Sequence, residues 1–237
     1  MRAIGAAELL DLWERGISLA LPRLALALLG AACPELDDAA LAALPLGRRD
    51  ALLMELREHL FGSELTLASR CPACAEALES TIALPALRQT LDAPRAAGSI
   101  ERRGITFRVP TAGDVVDLPD DAEAACRELL ARCADASGAT SSRISRWSDR
   151  EREDVADAIA AAAPDACTTI GMTCPACAQR WDVAFDIVAF LWREVDAWAK
   201  RMLRDVHALA RAYAWREADI LALGPTRRQL YLELSQA

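Results

Sequence analysis

From residue 6 to about 60, apolar positions recur at helical spacing. Leu9, Leu10, Leu12 and Trp13 form one set; Leu24, Leu26, Leu28 and Leu29 form the next. Pro22, the stretch Gly30 to Pro34, and Pro45 punctuate these runs. Leu46 to Phe61 predicts an amphipathic helix. Leu52, Leu53, Leu56 and Leu60 line one side, Arg48, Arg49, Glu55 and Arg57 cover the rest, and Gly62 stops it.

The period then shortens to two. Leu65, Leu67 and Ser69 alternate with polar residues up to Cys71, and Leu78, Ser80, Ile82 and Leu84 alternate after Cys74, which predicts strand, tight turn, strand. Residues 85–103 are rich in Pro, Ala, Arg and Gly and predict a linker or irregular loop. Ile105 to Val109 predicts a short strand, followed by Thr111 and Asp114 at the spacing of a short helix cap. Residues 121–134 predict a helix and 135–143 a small, polar loop. Ser148 and Glu151 predict a capping box that opens a helix ended by Pro164.

Alternation returns at Cys167 to Thr173 and again after Cys177, where Trp181, Val183, Phe185 and Ile187 lie at every second position. From about Asp186 one stripe runs on at three- and four-residue steps: Ile187, Leu191, Val195, Trp198, Met202, Val206, Leu209 and Tyr213. It predicts a single long helix. Two shorter helices close the chain, Glu217 to Leu223 and Pro225 to Ser235, with Pro225 at a first helical position. The expected fold class is α+β and mostly helical. The chain divides into a helical region 1–62, a β element 63–187 whose two halves (63–84 and 167–187) flank an insertion 85–166, and a helical region 188–237.

Composition narrows the function. The chain has 237 residues, of which 53% are hydrophobic, which excludes a disordered chain. Its net charge of -8 leaves no global electrostatic footprint for nucleic acid. The basic residues are almost all arginine; Lys200 is the one lysine. Acidic Glu8, Asp11 and Glu14 come before any long apolar run, so the N-terminus does not read as a secretory signal. The most apolar stretch, Ile17 to Cys33, is interrupted by Pro22 and Arg23, short of the roughly 20 clean residues of a bilayer span. A soluble, cytosolic protein is expected.

The strong chemical signal is a repeated pentapeptide. Cys71-Pro-Ala-Cys74-Ala and Cys174-Pro-Ala-Cys177-Ala each sit at a turn between alternating segments. Two residues between the cysteines let both sulfurs face one ion, and two such knuckles supply the four thiolates of a closed tetrahedral shell. Thiolates favour zinc or iron–sulfur over Mg2+ or Ca2+, and a closed shell is structural. One shared Zn2+, held in a zinc ribbon with an unusually long insertion, is the leading reading. The alternatives are two unrelated turns with free thiols, a redox Cys-x-x-Cys pair, and an iron–sulfur cluster. Strands follow both pairs, whereas a redox pair is expected at a strand–turn–helix junction. Cys33, Cys126, Cys133 and Cys167 read as buried small hydrophobes.

Other signals are weak. His59 and His207 lie in helical contexts outside any His-Glu-x-x-His pattern, and no P-loop, Gly-x-Gly-x-x-Gly or Gly-x-Ser-x-Gly occurs. No catalytic residue is assigned. Trp192, Trp198 and Trp215 gather near the C-terminus, where core packing is the first reading and a partner-binding face the second.

The C-terminal third carries a layout of its own: Val206-His207-Ala208-Leu209-Ala210, then Tyr213-Ala214-Trp215-Arg216-Glu217-Ala218-Asp219-Ile220-Leu221, then Arg227-Arg228-Gln229-Leu230-Tyr231-Leu232. With Phe107-Arg108-Val109-Pro110-Thr111 in the middle of the chain, it resembles baseplate hub-assembly proteins of contractile-tailed phages and related contractile injection systems, over residues 40–235. The resemblance implies a non-enzymatic structural or assembly factor, free in the cytoplasm of the producing bacterium or retained in the particle. It also implies binding to hub or tail-tube proteins. The partner face would be Trp192, Tyr213, Trp215, Arg227, Arg228 and Tyr231. The alternative reading is a zinc-ribbon module that binds nucleic acid or serves transcription. A metal-dependent hydrolase would need an open coordination position.

Overall fold

A computed structural model of the chain describes residues 1–91, 98–134 and 142–235. The N-terminal region is helical: α1 (Ala6–Gly16), α2 (Leu21–Ala32), α3 (Asp38–Ala42) and α4 (Leu46–Phe61). Two strands, β1 (Glu64–Arg70) and β2 (Ala77–Ala83), form an antiparallel hairpin, followed directly by α5 (Leu84–Leu91). The inserted segment holds the hairpin β3 (Ser99–Arg102) and β4 (Ile105–Arg108), then α6 (Ala122–Cys133) and α7 (Asp149–Ala162). A third hairpin, β5 (Thr169–Thr173) with β6 (Arg180–Ala184), leads into α8 (Ile187–Tyr213). The chain closes with α9 (Glu217–Leu221) and α10 (Pro225–Ser235). The fold is thus mixed α/β, mostly helical, with small antiparallel sheets and a long C-terminal helix. None of the helices among the described residues is long and apolar enough to cross a membrane.

The main core is shared by parts far apart in sequence. Leu24, Leu28 and Leu29 of α2 and Leu53, Met54 and Leu56 of α4 pack with Ile187, Leu191 and Val195 of α8. Both cysteine-bearing hairpins lay their inner faces on this core. Leu65 with Leu67 and Ile82 does so from one hairpin, Ile170 and Met172 with Trp181 and Val183 from the other. The alternation explains why: Leu65 lies opposite Ile82, Ile170 opposite Val183 and Met172 opposite Trp181, so each hairpin has one apolar face. A common core therefore places the two hairpins side by side.

A second core belongs to the insertion, where Phe107, Leu130, Ile144, Val155 and Ile159 are buried together. The expected capping box is present. Ser148 accepts from the Glu151 N–H, and the Glu151 carboxylate accepts from the Ser148 backbone. Thr111 and Asp114 do bond, through the Thr111 N–H (2.7 Å) and hydroxyl (2.8 Å), but the segment that follows is a run of turns rather than a helix. That turn docks on the N-terminal region: Ala112 N–H donates to Leu44 and Gly113 N–H to Ala42, both at 2.8 Å.

Three expectations change. The segment expected to be irregular contains α5 and β3; its centre, 92–97, lies outside the described residues, as does 135–141 of the expected polar loop. Second, α4 is not a one-sided amphipathic helix. Asp50, Ala51, Leu52, Leu53, Met54, Leu56 and Arg57 are all buried, because α4 is covered by α2, α5 and α8. Polar residues there are paired instead of solvated: Asp50 meets Arg49 at 2.7 Å, and burial still holds its carboxyl above the usual range. Third, of the four lone cysteines only Cys33 and Cys133 are buried; Cys126 is half-buried and Cys167 exposed. Cys167 follows the short helical turn Pro164–Ala166 and precedes β5, so no sheet face buries it.

Candidate functional site

The two pentapeptides form turns of the same geometry. In the first, Ala75 N–H donates to the Cys71 carbonyl and Cys71 N–H to the Glu76 carbonyl, each at 2.9 Å. In the second, Ala178 N–H to Cys174 and Cys174 N–H to Gln179 repeat those bonds at 2.9 Å. Ala75 (φ 60°) and Ala178 (φ 59°) both occupy the left-handed region. A residue with a Cβ adopts it at a cost of about 1 kcal/mol or more, so the same strained conformation at both turns marks a constraint rather than an accident.

The turns bring four sulfurs together. All four lie within 4.8 Å of one another. Cys71 and Cys177 Sγ are 3.6 Å apart, as are Cys74 and Cys174. Exchanging the two knuckles exchanges these contacts, as an approximate two-fold axis requires. The first cysteine of each pair is buried and the second exposed. A tetrahedron of sulfurs at about 2.3 Å from a central ion has edges of about 3.8 Å, so the spacing fits a four-coordinate metal closely.

Electrostatics supports the same conclusion. Burial raises the Cys71 thiol, but N–H groups of Cys74 and Ala73 and the neighbouring thiols outweigh it and bring it down to about 7. The N–H of Glu76 favours a Cys74 thiolate, yet Cys177 and Cys174 beside it push Cys74 up to about 12. Cys177 is raised as well, despite the Gln179 N–H. One thiolate is therefore easy to form, and further ones are opposed by the charge already present. A cation among the sulfurs removes that opposition. Cys71, Cys74, Cys174 and Cys177 can hold a metal ion.

The other residues expected to matter fall into two places. Tyr213, Trp215 and Tyr231 come together: Tyr213 stacks on Trp215 at 4.7 Å, and Tyr231 meets Trp215 edge-on at 4.8 Å. The Tyr213 hydroxyl donates to the Tyr231 carbonyl at 3.3 Å. Ala214 (φ 54°) ends α8 in the left-handed conformation and turns the chain back, which is what lets Trp215 reach Tyr213. Arg228 braces α10 to α8 through Asp205 at 3.3 Å, and Arg227 is exposed. Trp192 is elsewhere. It is half-buried against the main core, about six turns and roughly 30 Å before Tyr213 along α8.

Two arrangements escaped the sequence reading. Arg57 is buried and paired with Glu194, 137 residues away. Arg23 of α2 pairs with Asp117 of the turn after β4, which ties the insertion to the helices. An arginine inside an apolar run was the only hint of the first; the second had none.

Comparison with known proteins decides the family. The T4 bacteriophage base plate protein family matches the chain over residues 25–192. The chain belongs to that family. The matched span runs from α2 through both knuckles into the first turns of α8, and the motifs after residue 206 lie beyond it. A phage baseplate structural role follows for the chain. No curated protein and no solved structure matches it.

Proposed function

We propose that the chain is a zinc-stabilised structural or assembly factor of a contractile-tail baseplate hub, working by protein–protein binding. The observation that carries the zinc reading is the sulfur cluster, in which two distant turns of the same geometry meet with 3.6 Å contacts. Zn2+ fits the donor set best: four soft ligands, N–H groups directed at the sulfurs, and, among the described residues, no His, Asp or Glu grouped with them. Cys71, Cys74, Cys174 and Cys177 would hold it, and its contribution would be folding energy. Nothing in that arrangement calls for a reaction step.

The partner-binding end in this reading is the turn from α8 to α10. Tyr213, Trp215 and Tyr231 form a rigid aromatic group that remains partly accessible, with Arg227 exposed beside it. Aromatic and arginine anchors of this kind dominate binding at interfaces. Metal analysis of purified protein tests the first half, with one zinc and no iron per chain as the expected result. Co-expression with the neighbouring tail proteins tests the second: Trp215→Ala should lose co-purification while zinc content stays at one per chain.

A further inference from the structure

The chain is acidic as a whole, with a net charge of -8, yet one strip of surface near its C-terminal end is basic. Helix α8 carries Lys200, Arg201 and Arg204 within about one turn, and α10 brings Arg228 alongside. Two of these charges are already balanced, Lys200 by Asp196 at 2.7 Å and Arg228 by Asp205 at 3.3 Å. Arg201 and Arg204 are exposed, and among the described residues neither meets a carboxylate. Arg204 donates to the Lys200 carbonyl at 3.1 Å, which leaves its other N–H groups to solvent.

These arginines are the walls of a groove of about 300 Å³ between α8 and α10. Its lining is mostly polar; half-buried Trp198, over buried Met202, adds the apolar part, and Gln229 completes the rim. We infer that this groove binds an acidic segment of a partner protein, with one carboxylate on Arg201 and Arg204 and an adjacent apolar side chain on Trp198. Guanidinium forks match carboxylates in shape and charge, and the Trp198 ring offers the neighbouring residue an apolar contact. The groove already holds one carboxylate in this way, since Asp205 lies against Arg228. A long polyanion such as duplex DNA fits poorly. The groove, at about 300 Å³, takes a short segment and not the width of a duplex. The inference rests on the reading of this end as the partner-binding face and names the chemistry of the partner.

Fluorescence anisotropy on the full chain tests it. The probe is a labelled acidic peptide in which Asp and Glu surround one Leu and one Phe, compared with its Asn/Gln counterpart and with labelled duplex DNA. The acidic peptide should bind and the neutral one should not. Arg201→Glu with Arg204→Glu should weaken binding by about tenfold or more, while the matched pair Arg146→Glu with Arg150→Glu, on the insertion, should change it by about twofold at most. Arg201→Gln with Arg204→Gln should fall between, with an unchanged melting midpoint. Equal loss in both reversed pairs, equal binding of the neutral peptide, tighter binding of duplex, or no binding would each overturn the inference. Co-purification with co-expressed baseplate proteins separates the two readings. If it persists while peptide binding fails, only the groove assignment falls; if the native chain fails to co-purify, the wider partner reading falls.

Discussion

Arg57 on α4 forks onto Glu194 on α8, with N–H···O distances of 2.8 and 2.7 Å, and gives its remaining end to the carbonyls of Gly62 (2.7 Å) and Glu64 (2.6 Å). One buried guanidinium thus joins the two central helices to the start of the first cysteine hairpin. Removing it leaves a carboxylate and two carbonyls without their donor. Arg57→Ala should cost about 3 to 5 kcal/mol, read as a lower urea midpoint. Glu194→Gln keeps an acceptor in place and should cost less. A loss of under about 1 kcal/mol in Arg57→Ala would mean that the pair is incidental to the fold.

Gly16 closes α1 against Trp192. A Cβ built there comes within 2.6 Å of the indole Cη2 and 2.9 Å of Leu24 Cδ1. Gly16→Ala should therefore lower stability by about 1 to 3 kcal/mol, although alanine is the better helix former. Tryptophan fluorescence should shift with it. The double variant Gly16→Ala with Trp192→Leu should recover part of the loss; additive losses would place the strain elsewhere.

Chelation should loosen one part of the molecule more than the rest. With any bound metal withdrawn, or in Cys74→Ser, hydrogen exchange should quicken over residues 64–83 and 169–184, and the melting midpoint should fall. The buried residues of α6 and α7 should keep their protection, since their core contains neither hairpin. An unchanged midpoint after complete removal of metal would contradict a folding role for the ion.

Asp114 sets an acid limit on the insertion. Burial alone would raise its carboxyl, but Arg108 and both donors of Thr111 outweigh burial and hold it below the ordinary 3.8. A carboxylate depressed in the folded state stabilises the fold above its ordinary value, and that stabilisation is lost as pH falls from 3.8 toward the folded value. Asp114→Asn should lower stability at neutral pH and flatten its decline below that point. A parallel acid limb in the variant, measured by urea midpoints across the range, would exclude Asp114 as the responsible group.

Much of this was legible because the local signals agreed with the packing. The stripe from Ile187 to Tyr213 predicted α8, and five of its eight residues, Ile187, Leu191, Val195, Met202 and Leu209, are buried. Ser148 and Glu151 marked the start of α7, and Pro225 to Ser235 is helical from end to end. The repeated Cys-Pro-Ala-Cys-Ala named the four sulfurs, because a knuckle is a local structure encoded in a handful of residues. Their meeting in space is another matter. It depends on Leu65 and Met172 sharing a core, and no local pattern states that. The same limit hid the burial of α4. Its arginines look solvated in sequence, and only the approach of α8 makes Arg57 an interior residue. The strand β3 was missed because its partner β4 lends it regularity that its own composition lacks.

The Ala112 and Gly113 hydrogen bonds to α3 and its end, with the Arg23–Asp117 pair, moor the excursion between the knuckles at its base. Among its described residues, Phe107, Leu130, Ile144, Val155 and Ile159 form a core of their own beside the main one. A closed loop grows cheaply, by only about 0.6 kcal/mol for each doubling of length. What projects between the two thiol turns is therefore free to lengthen, shrink or be exchanged from one tail to another while the platform beneath it stays the same.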